Sequence, residues 1–184
     1  MTKFYDEYAP TFPSRLDWSS PTVLRERVRS HPEKTYLEVP WANESYTYAE
    51  TLDIAERVGS GMLTAGAAFG DRVLILIPNC SAYIFAWLGS SIAGLVEVPI
   101  NTAYRGAFLA HQVSTTTPSV AVISPEYVER ILDVSDSFET VKHFFLVGDD
   151  DEIEKALPAL HEMNKSASSW KDLLSSEKIP LPNV

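Results

Sequence analysis

Cysteine and basic residues are both scarce in this sequence. Among 184 residues the only cysteine is Cys80, so no internal disulfide can form, and a reducing compartment such as the cytoplasm is the expected location. Lysine and arginine number 15 against 25 acidic residues, which gives a formal net charge of −10 at pH 7. Nucleic acids and anionic membranes are bound by cationic surfaces, so neither is an expected partner. A ligand with phosphates would depend on single Arg or Lys side chains or on helix N-termini.

The sequence also lacks the usual phosphate and metal motifs. It contains no G-x-x-x-x-G-K-[ST] loop, and its glycine cluster Gly59-Ser60-Gly61 lies inside a predicted helix, without the third glycine of a dinucleotide site. His161-Glu162 begins like a zinc-protease helix, but Lys165 stands where a second histidine is required. The acidic run 149–152 lacks the spacing of a calcium loop and suits a helix N-terminus. The residues alone therefore indicate no catalytic or metal site.

One long uncharged run, Asn79–Val96, is the only candidate for a membrane span. Glycines and serines interrupt it, and no basic cluster flanks it to set an orientation. We therefore predict a buried helix followed by a buried strand. The first ten residues, MTKFYDEYAP, carry acids and no apolar core region, so they do not resemble a signal peptide.

What the sequence does contain is a regular alternation of strands and helices. Apolar runs of the kind found in strands covered on both faces occur at 73–77, 95–98, 120–123 and 143–147. Helical stretches lie between them, at 81–91, 105–115 and 125–134. This alternation predicts an α/β fold: a doubly wound, mostly parallel sheet flanked by helices.

Before this alternation the sequence predicts three smaller elements. Ser20-Pro21 is a helix start, with a capping hydroxyl followed by a proline. Segments 35–39 and 45–48 flank a turn and predict a small β-hairpin. Thr47 and Glu50 have the spacing of a capping box, which predicts a second helix after the hairpin.

The two ends of the chain differ from the middle. We predict an N-terminal extension over residues 1–17, an α/β subdomain over 18–165, and a linker over 166–184. The linker prediction rests on the serine-rich and proline-punctuated sequence NKSASSW…IPLPNV, which is typical of connectors. A compact domain rarely ends this way, so we expect the chain to continue in the native protein.

Three segments, taken in order, resemble a known family. They are YTYAETLDIAERVGSGM (46–62), GDRVLILIPNCSAYIFAWLGSSIAGLVEVPIN (70–101) and TAYRGAFLAHQVSTTTPSVAVIS (102–124). Together they are similar to the N-terminal part of the adenylate-forming acyl-CoA synthetases, and most like the fatty-acid or crotonobetaine/carnitine CoA ligases. Thr51 departs from the leucine that is usual in the family, which affects packing and not chemistry.

The resemblance implies an activity for the full-length protein. Such enzymes join a carboxylic acid to ATP, release pyrophosphate, and pass the acyl group to CoA, with Mg²⁺ as the metal. The family's phosphate loop and catalytic lysine lie further along than residue 184, so no catalytic residue is assigned here. We expect this chain alone to be inactive and to bind none of these cofactors. Its expected partner is the remainder of its own chain, and a homodimer is an open alternative.

The segment GLVEVPINTAYRG (94–106) carries the candidate binding residues. In open parallel sheets the ligand crevice lies beyond the carboxyl ends of the strands, where this segment is predicted to turn. One interpretation is a structural turn, in which Pro99 and Asn101 end the strand, Tyr104 packs and Arg105 is solvated. The other places Asn101 and Tyr104 next to the substrate. Arg105, together with Arg130, would then bind the phosphates of CoA, as the resemblance implies.

Three alternatives stay open from the sequence. Within the family, the chain could belong to a luciferase-like enzyme or to an adenylation domain that loads a carrier protein instead of CoA. Outside it, the chain could be a binding or scaffold domain of the same fold without catalysis. A small phosphate-binding regulatory domain would need a glycine-rich turn after a strand, and the sequence has none.

Overall fold

A parallel five-stranded sheet forms the centre of the molecule. The computed structural model of the chain describes Phe12, Ser14 and residues 17–184. The predicted extension over residues 1–17 lies almost wholly outside these residues. In chain order the elements are α1 (Ser20–Ser30), β1 (Thr35–Val39), β2 (Glu44–Thr47), α2 (Tyr48–Thr64), β3 (Arg72–Leu76), α3 (Ser81–Ile92), β4 (Val96–Pro99), α4 (Gly106–Thr116), β5 (Val120–Ile123), α5 (Val128–Leu132), β6 (His143–Leu146), α6 (Asp150–Glu162), β7 (Ser166–Ser169) and α7 (Trp170–Leu174).

The strand order of the sheet is β4-β3-β5-β6-β7, and every neighbouring pair is parallel. Strands β1 and β2 form a separate antiparallel hairpin. Successive residues of a strand point to opposite faces. Leu74, Leu76 and Phe144 accordingly pack against α4, α5 and α6, whereas Val73, Ile75 and Phe145 pack against α2, α3 and α7. The predicted fold class, a doubly wound α/β sheet with a small hairpin, is confirmed.

The predicted starts of α1 and α2 are confirmed, the first with its capping residue shifted by one position. The capping residue of α1 is Ser19 and not Ser20, because its side-chain oxygen accepts from the amide of Thr22. At α2 the predicted capping box is present: Thr47 Oγ1 accepts from the amide of Glu50, and the Glu50 carboxylate accepts from the amide of Thr47. Both helices therefore begin where their own side chains satisfy first-turn N–H groups.

Strand β4 and helix α5 correct two predictions. Strand β4 was predicted to be covered on both faces, but it lies at an edge of the sheet, and Val96 is 49% exposed. Pro99 is the last residue of β4, which is compatible with an edge because proline cannot donate to a ladder. The helix predicted over 125–134 is shorter: a 3₁₀ turn at Pro125–Tyr127 leads into α5, which ends at Leu132.

The serine-rich end of the chain contains structure that the sequence did not predict. Residues Ser166–Ser169 pair with β6 as the fifth strand, β7, and α7 follows directly. Ser169 and Asp172 form a second capping box at the start of α7, and Leu173 is 1% exposed in the core between the sheet and α2. The prediction that this segment is only a connector is therefore wrong for residues 166–174.

The uncharged run Asn79–Val96 contains the predicted helix, α3, and reaches the first residue of β4, but the strand is not buried as predicted, since Val96 is 49% exposed. Within the described part of the chain, no helix combines the length and the apolar character needed to cross a bilayer.

Candidate functional site

The candidate site lies at the carboxyl ends of the parallel strands. Strands β3 and β5 are neighbours, yet the chain leaves β3 towards β4 on one side and leaves β5 towards β6 on the other. This reversal opens a crevice, which is where open α/β sheets bind ligands. A cavity of about 400 Å³ lies beyond β3 and β4. We call the segments that follow the strands, residues 77–80, 100–105, 124–125 and 147–149, the carboxyl rim.

Asn101 builds the turn that follows β4. Its Oδ1 accepts a hydrogen bond from the amide of Ala103 at 2.9 Å, and its carbonyl oxygen accepts from the amide of Tyr104, also at 2.9 Å. An asparagine side chain that bonds the backbone two residues on is a common way to form a turn. Asn101 also lines the cavity of the carboxyl rim. These contacts support the structural interpretation of the segment and leave its exposed amide nitrogen available to a ligand.

Tyr104 lies beside a second ring that the sequence analysis did not single out. The ring centres of Tyr104 and Phe108 are 6.1 Å apart, and Phe108 is 74% exposed. The four-residue spacing of the two rings on a predicted helix start is the signal that could have revealed the pair. The two exposed rings, inclined by 30°, form an apolar surface on which a base could stack.

Arg105 is exposed and occupies the capping position of α4. Within the described residues no side chain caps this helix, so its first N–H groups have no side-chain partner there. A helix N-terminus and an arginine at the same place both attract anions. Of the two arginines predicted from the sequence, Arg105 is therefore the one whose surroundings suit a phosphate.

Arg130 is engaged in holding the rim together. Its Nη1 donates to the carbonyl oxygen of Thr102 at 2.5 Å, and its guanidinium carbon lies 4.6 Å from the centre of the Tyr127 ring. These contacts tie α5 to the segment after β4. The structure therefore brings Arg130 to the same segment as Asn101, Tyr104 and Arg105, but in a positioning role.

Cys80 of the rim and Tyr127, which follows the rim after Pro125, are titratable groups whose pKa values shift. Burial raises the pKa of the Cys80 thiol, although the amides of Ala82 and Tyr83 oppose this effect. Burial also raises the pKa of Tyr127. Both side chains are therefore neutral at pH 7, and the Cys80 thiol has no thiolate character that would make it a nucleophile.

ATP and Mg²⁺ have no evident site among the described residues. No group of three or more His, Cys, Asp or Glu side chains in that part of the chain is arranged to hold a metal ion. The sequence offers no glycine-rich loop after a strand. We therefore assign no ATP or Mg²⁺ contact to these residues.

The architecture and the rim together define a class of protein: an open parallel α/β domain with a ligand crevice at the carboxyl ends of its strands. Residues 24–180 match the family of AMP-binding enzymes, so the chain belongs to that family. The resemblance found in the sequence is thereby confirmed.

Individual relatives agree with the family. The chain is 28% identical over 120 residues to 4-coumarate–CoA ligase 3 of Arabidopsis thaliana, which covers 65% of the chain and 21% of that protein. It is 24% identical over 184 residues to the acyl-CoA ligase SID4 of Ajellomyces capsulatus, which covers 96% of the chain and 30% of that protein. A proposed long-chain-fatty-acid CoA ligase from Rhodopseudomonas palustris superposes with a TM-score of 0.74 at 27% identity, over 92% of this chain and 39% of the other. The chain thus spans less than a third of the length of these two curated relatives.

Proposed function

We propose that these 184 residues are the first part of an ATP-dependent acyl-CoA ligase. The observation that carries the proposal is the family match, which runs through nearly the whole α/β subdomain, together with curated relatives that are named CoA ligases. The full-length enzyme converts a carboxylic acid, ATP and CoA into acyl-CoA, AMP and pyrophosphate. The residues that bind ATP and Mg²⁺ belong to the remainder of the protein, which is also the principal partner of this subdomain in the cytoplasm.

Within that enzyme, residues 18–174, which include β7 and α7, form a subdomain that contributes the carboxyl rim. The segment 175–184, which follows α7, leads towards the phosphate-loop region. This division is compatible with a rim that offers a crevice, the exposed ring of Tyr104 and the cation of Arg105.

The proposed contribution of the rim is to bind the nucleotide end of CoA. Arg105 and the N-terminus of α4 provide the positive charge for a phosphate, and Arg105 can bond two oxygens at once. The exposed pair of Tyr104 and Phe108 provides a surface for the adenine ring. Arg130 supports this site by holding Thr102, and Asn101 holds the turn between them.

Carboxylate-dependent exchange between ATP and pyrophosphate tests the ligase proposal. The assay is run on this chain and on the full-length gene product, with acids of increasing chain length. We expect exchange by the full-length protein alone, and the preferred acid then identifies the substrate. Exchange by the 184 residues would contradict the assignment of the ATP site to other residues. No exchange by either protein with any acid would favour the scaffold alternative.

Replacement of Arg105 by Ala in the full-length enzyme tests the CoA proposal. Loss of a charge-assisted pair costs about 1.5–3 kcal/mol, so we expect the KM for CoA to rise roughly tenfold or more. Exchange of ATP with pyrophosphate does not require CoA and should be unchanged. Arg29→Ala, an exposed arginine on α1, is the matched control. An unchanged KM for CoA in Arg105→Ala would remove Arg105 from the site.

A further inference from the structure

A second cavity, of about 270 Å³, lies between α1, the first hairpin strand, the start of α2, and α3. Its walls are four aromatic rings, one from each of these regions or their flanks: Trp18, Tyr36, Tyr48 and Trp87. Val23 and Leu24 of α1 line it as well, and Leu24 belongs to a buried apolar cluster. The cavity shares no lining residue with the carboxyl rim.

The rings of this aromatic cavity are held in place by contacts of their own. Trp18 Nε1 donates to the carbonyl oxygen of Phe12 at 2.9 Å, and Trp87 Nε1 donates to Glu97 Oε1 at 2.8 Å. The ring centres of Tyr36 and Tyr48 are 5.1 Å apart. Because both indole N–H groups are already bonded, what the two tryptophans offer to the cavity is ring surface. The cavity is therefore preformed and largely apolar.

One cation, Arg27, lines the same cavity from the last turn of α1. Its position follows Ser20, Val23 and Leu24 at helical spacing, so these side chains share one face of α1. Among the residues that the structure describes, no carboxylate or carbonyl accepts a hydrogen bond from the Arg27 side chain. Arg29, on the same helix, is instead paired with Glu26. Arg27 is partly buried as a residue, and an arginine that lines an apolar cavity can bind a single carboxylate with a charge-assisted bond.

We propose that this aromatic cavity binds a small aromatic monocarboxylate, with the carboxylate on Arg27 and the ring between the aromatic walls. A single cation balances one negative charge, and a polyphosphate would leave most of its charge unpaired beside apolar walls in a protein of net charge −10. The cavity volume suits one substituted ring. This proposal does not depend on the ligase activity, because it rests on residues of α1 and its N-terminal flank, the hairpin, the start of α2, and α3, none of which belongs to the carboxyl rim.

Binding to the purified chain tests the proposal directly. Benzoate and 3-phenylpropanoate are titrated, with benzamide and 3-phenylpropanamide as uncharged counterparts, while the tryptophan indole N–H signals are followed by NMR. We expect the acids to shift the signals of Trp18 and Trp87 and to leave those of Trp41 and Trp170 in place. Shifts confined to Trp41 or Trp170, or no saturable shift at all, would overturn the proposal.

Substitutions separate the carboxylate contact from simple apolar binding. We expect Arg27→Gln to weaken acid binding by roughly tenfold or more and to leave amide binding unchanged, since only the charge-assisted bond is lost. Arg29→Gln is the matched control and should bind like the wild type. Equal affinity for acids and amides in the wild type would overturn the proposal. Tighter binding of ADP than of the acids, abolished by Arg27→Gln, would overturn it in favour of a nucleotide site.

Discussion

Asp53 on α2 accepts hydrogen bonds from two cations, one local and one distant in sequence. Arg57 Nε lies 2.9 Å from one carboxylate oxygen, and Lys178 Nζ reaches the other. Lys178 also bonds Glu56 at 3.0 Å, so one lysine joins the C-terminal segment to two acids of α2. The backbone amide of Ile179 donates to Ser60 Oγ next to this cluster. The helical pair was readable from the sequence, whereas the partner 125 residues away was not.

Asp53 gives the fold a predictable dependence on pH. Hydrogen bonds from Lys178 and Arg57 lower the pKa of the Asp53 carboxyl below its usual value. A lowered folded-state pKa stabilises the fold above the unfolded-state pKa of about 3.9, and this contribution is lost as the pH falls through the folded-state pKa. We expect Asp53→Asn to be less stable than the wild type at pH 7, by less than about 1 kcal/mol because the pair is partly exposed.

Urea unfolding at several pH values measures this effect. The stability difference between Asp53→Asn and the wild type should shrink as the pH falls from the unfolded-state pKa through the lowered folded-state pKa, because the wild-type carboxyl then becomes protonated and uncharged. Asp151→Asn, exposed in the first turn of α6, is a control outside the cluster. A difference that stays constant from pH 7 to pH 2.5 would contradict the prediction.

Thr51 departs from the leucine usual in the family, and its hydroxyl is buried without losing a hydrogen bond. Its side chain is fully buried, and its hydroxyl donates to the carbonyl oxygen of Thr47 at 2.7 Å. The hydroxyl is therefore satisfied one turn back on its own helix, which removes the cost of burying a polar group. The sequence identified the position, but only the burial explains how threonine is accommodated there.

At the scale of elements, α2 and α3 approach closely because glycines lie at their contact. A Cβ on Gly59 would come 2.8 Å from the carbonyl oxygen of Gly89, and one on Gly89 would come 2.6 Å from a methyl group of Val58. The glycines that failed to match a nucleotide motif thus have a packing role. The spacing of apolar residues predicted α2 and α3 as separate helices. The distance between their axes depends on the size of the side chains on both contacting faces, which no single segment specifies.

Replacement of Gly59 by Ala tests this contact, because the contact and helix propensity predict opposite changes in the free energy of unfolding. Helix propensity alone would favour alanine by about 1 kcal/mol. The clash with the Gly89 carbonyl should outweigh this gain, and we expect a net destabilisation of about 1–3 kcal/mol. Ser114→Ala, at an exposed position of α4, is the matched control and should be neutral or slightly stabilising. Equilibrium urea unfolding measures both, and a stabilised Gly59→Ala variant would contradict the prediction.

The elements β7 and α7 contribute to the core although their sequence is typical of a connector. Strand β7 pairs through the backbone with β6, and α7 buries Leu173 beside Gly61 of α2. Backbone pairing needs no apolar side chains, so the sequence SASS (166–169) lacks the apolar pattern from which a strand is predicted. A helix of five residues with one buried leucine is also too short to show the repeated apolar spacing that predicts a helix from sequence.

Leu173→Ala distinguishes a core element from a connector. Removing a fully buried leucine side chain costs about 2–5 kcal/mol. We expect a loss of this size by urea or thermal unfolding, whereas Leu132→Ala, at a position 37% exposed, should cost much less. Equal and small effects of the two substitutions would mean that α7 does not pack on the sheet in solution.

At the scale of the whole molecule, several large apolar side chains of the described residues remain exposed. Trp41, Phe69 and Phe108 are 76%, 70% and 74% exposed, respectively, and β4 is an open sheet edge. Exposed apolar surface and open edges favour association. We predict concentration-dependent self-association of the isolated chain, measurable by sedimentation velocity and reduced by Phe108→Ser. Ser114→Ala, which changes an exposed polar side chain of the same helix, should associate like the wild type. A monomeric profile at all concentrations would contradict the prediction.

The sequence by itself determined the secondary-structure alternation, the helix caps and the fold class. These features depend on residues close in the chain: Thr47 and Glu50 are one turn apart, and strands such as VAVI are continuous apolar runs. It also carried the family resemblance, because that signal lies in ordered segments and not in contacts. The candidate binding residues Asn101, Tyr104, Arg105 and Arg130 could also be named from the sequence, because they lie in or near those segments.

Only the tertiary structure decided which of these residues have which partners. It brings Arg130 into contact with Thr102 and Tyr127, leaves Arg105 at a helix N-terminus, and places Arg27 in a cavity lined by aromatic rings from four regions of the chain. The tertiary structure also places β4 at one edge of the sheet and adds β7 at the other edge. Such contacts join residues far apart in sequence, and their geometry depends on how the helices and strands pack together. Local patterns therefore specify the elements, and packing specifies the sites between them.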